Sequence, residues 1–305
     1  MPSQAASNAA CAPGPEPDPE PSNASPGTRT GAARVDRHAR NSSLCTSVEL
    51  GRSRLLTDLS NSDPLVYLSG DAGQRMKRIG LLGGMSWESS AEYYRLINEE
   101  VRDRLGGLHS ADCLLRSVDF AEIEQLQRDS RWNEAGTRLA EEARALVAAG
   151  AELLALCTNT MHKVASAITD AVEVPFVHIA DATAQAVRAQ QLETVGLLAT
   201  AYTMEQDFYV GRLREKHGLN VLVPRAADRD TVHDIIYDEL CVGVIDDGSR
   251  EQYRRIMRDL ADRGAEGILL GCTEIDLLVG PADASVPVFD TTRLHTHSVV
   301  DLALA

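Results

Sequence analysis

The feature that most limits how this chain can fold is a repeat within itself. Arg78-Ile-Gly-Leu-Leu-Gly83 returns as Thr194-Val-Gly-Leu-Leu-Ala199, and Gly150-Ala-Glu returns, at nearly the same offset, as Gly264-Ala-Glu. Each copy runs from a short aliphatic segment through helix-period stretches to a second aliphatic segment that ends in a threonine-rich or Cys-Thr turn. The aliphatic runs lie at 78–82, 113–118, 152–156, 174–177, 194–198, 267–270 and 286–289, with amphipathic segments such as 135–149 and 250–263 between them. Strands alternating with helices predict parallel α/β sheets. The repeat therefore predicts two pseudo-twofold-related α/β domains facing a shared cleft, 76–178 with 288–305 and 179–287. Ligands of open α/β sheets bind beyond the carboxyl ends of the strands. The cleft thus collects the turns after Leu82, Val118, Leu156, Leu198 and Leu270.

Residues 1–75 have another character: they hold 8 of the 12 prolines, one aromatic residue and no lysine. Such a segment buries too little apolar surface to offset its chain entropy and is expected to be disordered. Met76 stands directly before the first strand, so the upstream segment reads as a dispensable extension or a wrongly assigned start. The formal charge of −15, from 30 basic and 45 acidic residues, repels nucleic acid and anionic membranes. No run of about 18 apolar residues occurs, and the first 30 positions lack a signal peptide's apolar stretch. A cytoplasmic protein without a nucleic-acid or membrane partner is expected, and a homodimer is compatible with the pattern. Six cysteines with no C-x-x-C speak against a disulfide framework or a zinc site.

Chemistry concentrates in two turns. Leu156-Cys-Thr-Asn-Thr-Met-His-Lys163 follows one aliphatic strand and Gly271-Cys-Thr-Glu-Ile275 follows its repeat partner. Each sets a thiol, hydroxyls and backbone N–H groups at a strand's carboxyl end, where a thiolate acts as base and nucleophile. Gly80-Leu-Leu-Gly-Gly-Met85 fits neither G-x-G-x-x-G nor a Walker loop and reads as close backbone approach to a small ligand. Ser86 reads as a helix N-cap. His162 either tunes the first turn or packs, and His178 reads as a core or hinge residue. His295 and His297, two apart, point to different sides of a helix. Glu274 orients the Cys272 turn or is a structural acid.

The set Gly80-Leu-Leu-Gly-Gly-Met-Ser-Trp-Glu88, Ser117-Val-Asp-Phe120, Cys157-Thr-Asn-Thr-Met-His162, Tyr202-Thr-Met-Glu-Gln-Asp207, Gly271-Cys-Thr-Glu274 and Phe289-Asp-Thr291 resembles the aspartate/glutamate racemase family. It is most similar to the bacterial amino-acid racemase branch with the Cys-Thr-Asn-Thr-Met-His motif. The resemblance covers 76–305 and implies cofactor-independent racemisation, with neither metal nor pyridoxal, by two cysteines on opposite faces of the substrate α-carbon that exchange roles, one abstracting the proton and the other delivering it. It implies that Asn159, Thr160 and Thr273 hold the α-carboxylate. Gly84, Met85, Lys163, Thr200 and Glu274 complete the expected substrate-binding set, and Cys272, Thr158 and Cys157 the catalytic one.

The chain departs from the family pattern at one point. The family thiol stands immediately before Asn, whereas here Thr158 fills that position and Cys157 stands one residue earlier. The repeat agrees, since Thr158 follows Gly150 by the same eight residues by which Cys272 follows Gly264. A shift of one residue along a strand turns the side chain to the other face. Cys272 is thus the expected competent base, opposite Thr158 or Cys157, with unequal action on the two enantiomers. The stretch 236–243, where aspartate-type members carry a basic side chain, has Leu240 and Cys241 instead, so broader or neutral substrates such as homoserine-like amino acids fit equally well. The scaffold also admits a decarboxylase, a cis-trans isomerase or a small-ligand binding protein.

Overall fold

A computed structural model describes residues 75–305; the stretch expected to be disordered lies, except for Arg75, outside the described residues. The first repeat comprises β1 (Ile79–Gly83), α1 (Trp87–Leu105), β2 (Cys113–Ser117), α2 (Phe120–Arg128), α3 (Trp132–Ala148), β3 (Leu153–Leu156), a 3-10 turn (Thr160–Val164), α4 (Ala165–Thr169), β4 (Phe176–Val177) and α5 (Ile179–Ala189). The second comprises β5 (Thr194–Leu198), α6 (Ala201–Glu205), α7 (Asp207–His217), β6 (Asn220–Leu222), α8 (Ala226–Asp238), α9 (Asp247–Asp262), β7 (Gly267–Leu270), β8 (Val288–Asp290) and α10 (Thr291–Leu304). Two four-stranded sheets result, ordered β2-β1-β3-β4 and β6-β5-β7-β8, with every pairing parallel. The equivalent strands occupy equivalent places.

Two details differ from the sequence pattern. Strand β6 is only Asn220-Val-Leu222 with Val221 alone buried, too short to give an aliphatic run. Residues 288–290 pair with β7 as the fourth strand of the second sheet, so the domain boundary placed at 288 moves to the start of α10. The apolar run at 286–289 closes that sheet before the chain leaves it.

The central strands β1, β3 and β7 are buried throughout, as expected for parallel sheets covered on both faces. The last helix of each repeat crosses to the other lobe. Ile179, Ala180, Ala184 and Val187 of α5 pack in the core of the second sheet. Val299, Val300 and Ala303 of α10 pack with Ile79, Leu81 and Ile97 of the first. Each lobe is completed by a helix of its partner repeat.

Strand register fixes the repeat residue by residue. Leu82 pairs with Leu156 at the end of β3, and Leu198 with Leu270 at the end of β7. Cys157 N–H donates to Leu82 O at 2.9 Å and Gly271 N–H to Leu198 O at 2.7 Å. Gly150 and Gly264, which turn the chain into β3 and β7, both have φ of 101°, a conformation that glycine adopts without a Cβ penalty.

Candidate active site

Thr158 and Cys272 each stand two residues beyond a paired strand end, and both line one cleft between the lobes. Cys157 and Gly271 precede them, and Cys157 faces away from the cleft. Cys157 is fully buried among Ile79, Leu81, Tyr93 and Leu153, and burial holds its thiol well above the usual range. Gly271 has no room for a side chain, since a Cβ would sit 2.8 Å from Leu197 Cδ1 and 3.0 Å from Ala199 Cβ.

The second turn is organised around Glu274, which is 3% exposed. Cys272 Sγ donates to Glu274 Oε2 at 2.8 Å, Thr273 Oγ1 donates to the same oxygen at 2.7 Å, and Ser86 Oγ donates to Oε1 at 2.5 Å. Ser89 in turn donates to Thr273 Oγ1. Burial, and after it the carboxylate, raise the half-buried Cys272 thiol well above its ordinary range, so the resting group is protonated. Ser86 is also the N-cap of α1, accepting from Ser89 N–H, so the start of that helix and the second turn share one hydroxyl.

The first turn supplies amide and hydroxyl groups. Asn159 Nδ2 donates to Thr291 Oγ1 at 3.2 Å, and Thr291 Oγ1 donates to Leu270 O at 2.7 Å. That chain fixes the amide orientation and leaves Asn159 Oδ1 buried without a hydrogen-bond partner among the described residues. Thr160 Oγ1 lies 3.0 Å from Thr200 Oγ1 and 3.4 Å from Thr203 Oγ1, joining the lobes through three hydroxyls. Met85 also lines the cleft.

Two expected residues lie elsewhere. Lys163 places its ammonium 3.7 Å from the Trp132 ring centroid, because the 3-10 turn carries it round to α3. Gly84 is pressed against the chain just past β2, where a Cβ would meet Val118 O at 2.2 Å. His162 is buried and packs: Nδ1 donates to Thr158 O at 2.7 Å and Nε2 accepts from Ile179 N–H at 3.3 Å, which engages both nitrogens away from the Thr158 hydroxyl. His178 caps α5, His295 is buried against Tyr93 and Val177 O, and His297 is exposed beside Glu100.

The cleft also takes residues that the turn motifs did not indicate. Gln127 of α2 accepts from Tyr237 OH of α8 at 3.2 Å, bridging the lobes; Ile236 and Cys241 stand beside this bridge. Among the described residues, no lysine, arginine or histidine lines the cleft, and Glu274 is the one formally charged side chain there. The cavity is about 20 Å³, room for a single water. A larger depression of about 610 Å³ lies elsewhere, around Asp276, Asp290 and Arg293. None of the cleft residues of the two turns lines it.

Paired α/β lobes with repeat-equivalent polar turns across one cleft define the two-domain fold of the amino-acid racemases. The Asp/Glu/hydantoin racemase family profile matches residues 82–299. A solved structure from Yersinia pestis, of a protein proposed as an Asp/Glu racemase, is 55% identical, covers 75% of this chain and 100% of its own, and has a TM-score of 0.72. An aspartate racemase homologue from Pyrococcus horikoshii OT3 is 35% identical over 75% of this chain and 100% of its own, with a TM-score of 0.67. The aspartate racemase of Picrophilus torridus, 19% identical over 74% of this chain and 94% of its own, shares the fold with a TM-score of 0.61. The chain belongs to the Asp/Glu/hydantoin racemase family.

Proposed function

We propose that the protein is a cofactor-independent amino-acid racemase in which Cys272 serves one face of the substrate α-carbon and Thr158 the other. The observation that carries this reading is that the two residues hold equivalent places in the repeat and line the same cleft. Cys272 as thiolate removes the α-proton, and the Thr158 hydroxyl or a water beside it supplies one from the opposite side. A hydroxyl is a far weaker acid than a thiol, so the two directions differ in kcat and KM. An equilibrium constant of one for enantiomers keeps kcat/KM the same for both. Asn159 Oδ1, an acceptor with no partner, suits the substrate ammonium, and the hydroxyls of Thr160, Thr200 and Thr273 suit the carboxylate.

The lining supports amino acids with uncharged side chains above dicarboxylates, because no cation stands ready for a second carboxylate. Incubating the protein with a panel of L- and D-amino acids in deuterated water tests the proposal. Incorporation of deuterium at the α-carbon is expected, strongest for uncharged side chains. Absence of exchange across the panel would refute the racemase reading, and strict preference for aspartate would refute the specificity.

A further inference from the structure

For Cys272 to take a proton from carbon its own thiol proton has to leave, and the cleft restricts where it can go. A thiolate beside a charged carboxylate would place two like charges in a buried site with no cation on its lining, an arrangement strongly disfavoured in low dielectric. The Glu274 carboxylate already receives Cys272 Sγ at 2.8 Å and is fixed by Ser86 and Thr273, both uncharged donors. Building on the racemase reading, we propose that Glu274 is the acceptor of the Cys272 thiol proton, the two groups sharing one negative charge.

In the first step the S–H bond breaks, an O–H bond forms on Oε2, and the electron pair stays on sulfur. The pair keeps a charge of −1. In the second step the substrate Cα–H bond breaks and a new S–H bond forms while the electron pair stays on carbon, so the negative charge has moved to the substrate and both protein groups are neutral. Protonation of carbon on its opposite face then leaves the pair with one proton more than at the start and the opposite donor with one fewer. Solvent restores both as product leaves. Glu274 acts through Cys272 and is a positioning residue, not a group that touches substrate. The other titratable groups about this pair are Cys241, Tyr237 of α8 and Tyr253 of α9, all kept neutral by burial, with Tyr93 of α1 and Asp276 near Glu274.

The test follows alkylation of Cys272 by iodoacetamide as a function of pH, read by mass on the peptide that carries it, together with α-deuterium exchange. In the wild type the alkylation midpoint is expected above the ordinary thiol value of about 8.5. Glu274→Gln removes the neighbouring charge, so the midpoint should fall by about one pH unit or more. The same variant should lose about 100-fold or more in exchange, the scale of a missing proton acceptor. A merely structural role would not make the thiol easier to ionise while making the protein less active. An unmoved midpoint or retained exchange in the folded variant overturns the proposal, and so does an ordinary or lowered midpoint in the wild type, a measurement that needs no variant. A shifted midpoint without exchange of any amino acid in the wild type would remove the racemase reading and leave the pair. Exchange with an unmoved midpoint would remove the pair alone.

Discussion

At the scale of single residues, the one-step offset between Cys157 and Thr158 separates a packed thiol from a cleft hydroxyl. Cys272→Ala is expected to abolish α-exchange, whereas Cys157→Ala should keep it and lose about 1 kcal/mol of stability from an unfilled core position. In the same assay Thr158→Cys should speed exchange on the face that the wild type handles slowly, since a few per cent of an ordinary thiol is ionised at neutral pH. A folded Cys157→Ala protein without exchange, or an unchanged pattern in Thr158→Cys, would show that the assignment is wrong. The offset was legible in the sequence because two glycines with one conformation mark the start of both strands. Lys163 was not, because its direction depends on a 3-10 turn and on Trp132. The contact between Ser86 and Glu274 joins residues 188 positions apart, and no local pattern encodes it.

At the scale of elements, the turns were readable and the helices that close the cleft were not. The strand ends carry Thr158 and Cys272 with a period that aliphatic runs announce. Gln127 and Tyr237 come from the amphipathic helices α2 and α8, where a cleft-facing residue has the same spacing as a core residue. Strand β6 escaped notice because three residues cannot show alternation. The strand entrances give an element-level prediction. Gly264, at φ of 101° with nothing within 4 Å of a Cβ, should lose about 1–2 kcal/mol as Gly264→Ala from backbone strain alone. Urea unfolding measures this, and an unchanged midpoint would contradict the assigned conformation.

At the scale of the whole molecule, the chain first passes between lobes at 178–179, and three buried histidines surround that passage. His162 lies 4.6 Å from His178 and 5.8 Å from His295 by ring centroids. Burial pushes His178 down to about 3 and His295 to about 4, and lowers His162 as well. A proton on His162 Nε2 would face the Ile179 N–H donor, so the cation has no acceptor there. Below an unfolded histidine value of about 6.5 the unfolded chain binds more protons than the folded one. Stability is therefore full above that value and falls as pH drops from about 6.5 toward 4. Thermal melts across this range should show the decline, and a flat profile would contradict the neutral cluster.

On the proposed function, the absence of cations among the described residues lining the cleft also sets the expected response to ionic strength. A zwitterion held by hydroxyl and amide dipoles carries no net charge into the field of a chain whose formal charge is −15, and added salt has little to screen. An amino acid with a second carboxylate approaches against that field, and screening relieves the repulsion as the Debye length shrinks from about 10 Å at 0.1 M to about 3 Å at 1 M. KM for uncharged side chains should thus stay nearly constant across that range while KM for aspartate falls. A KM for aspartate that rises with salt would reveal a cationic contact that the cleft lining does not contain.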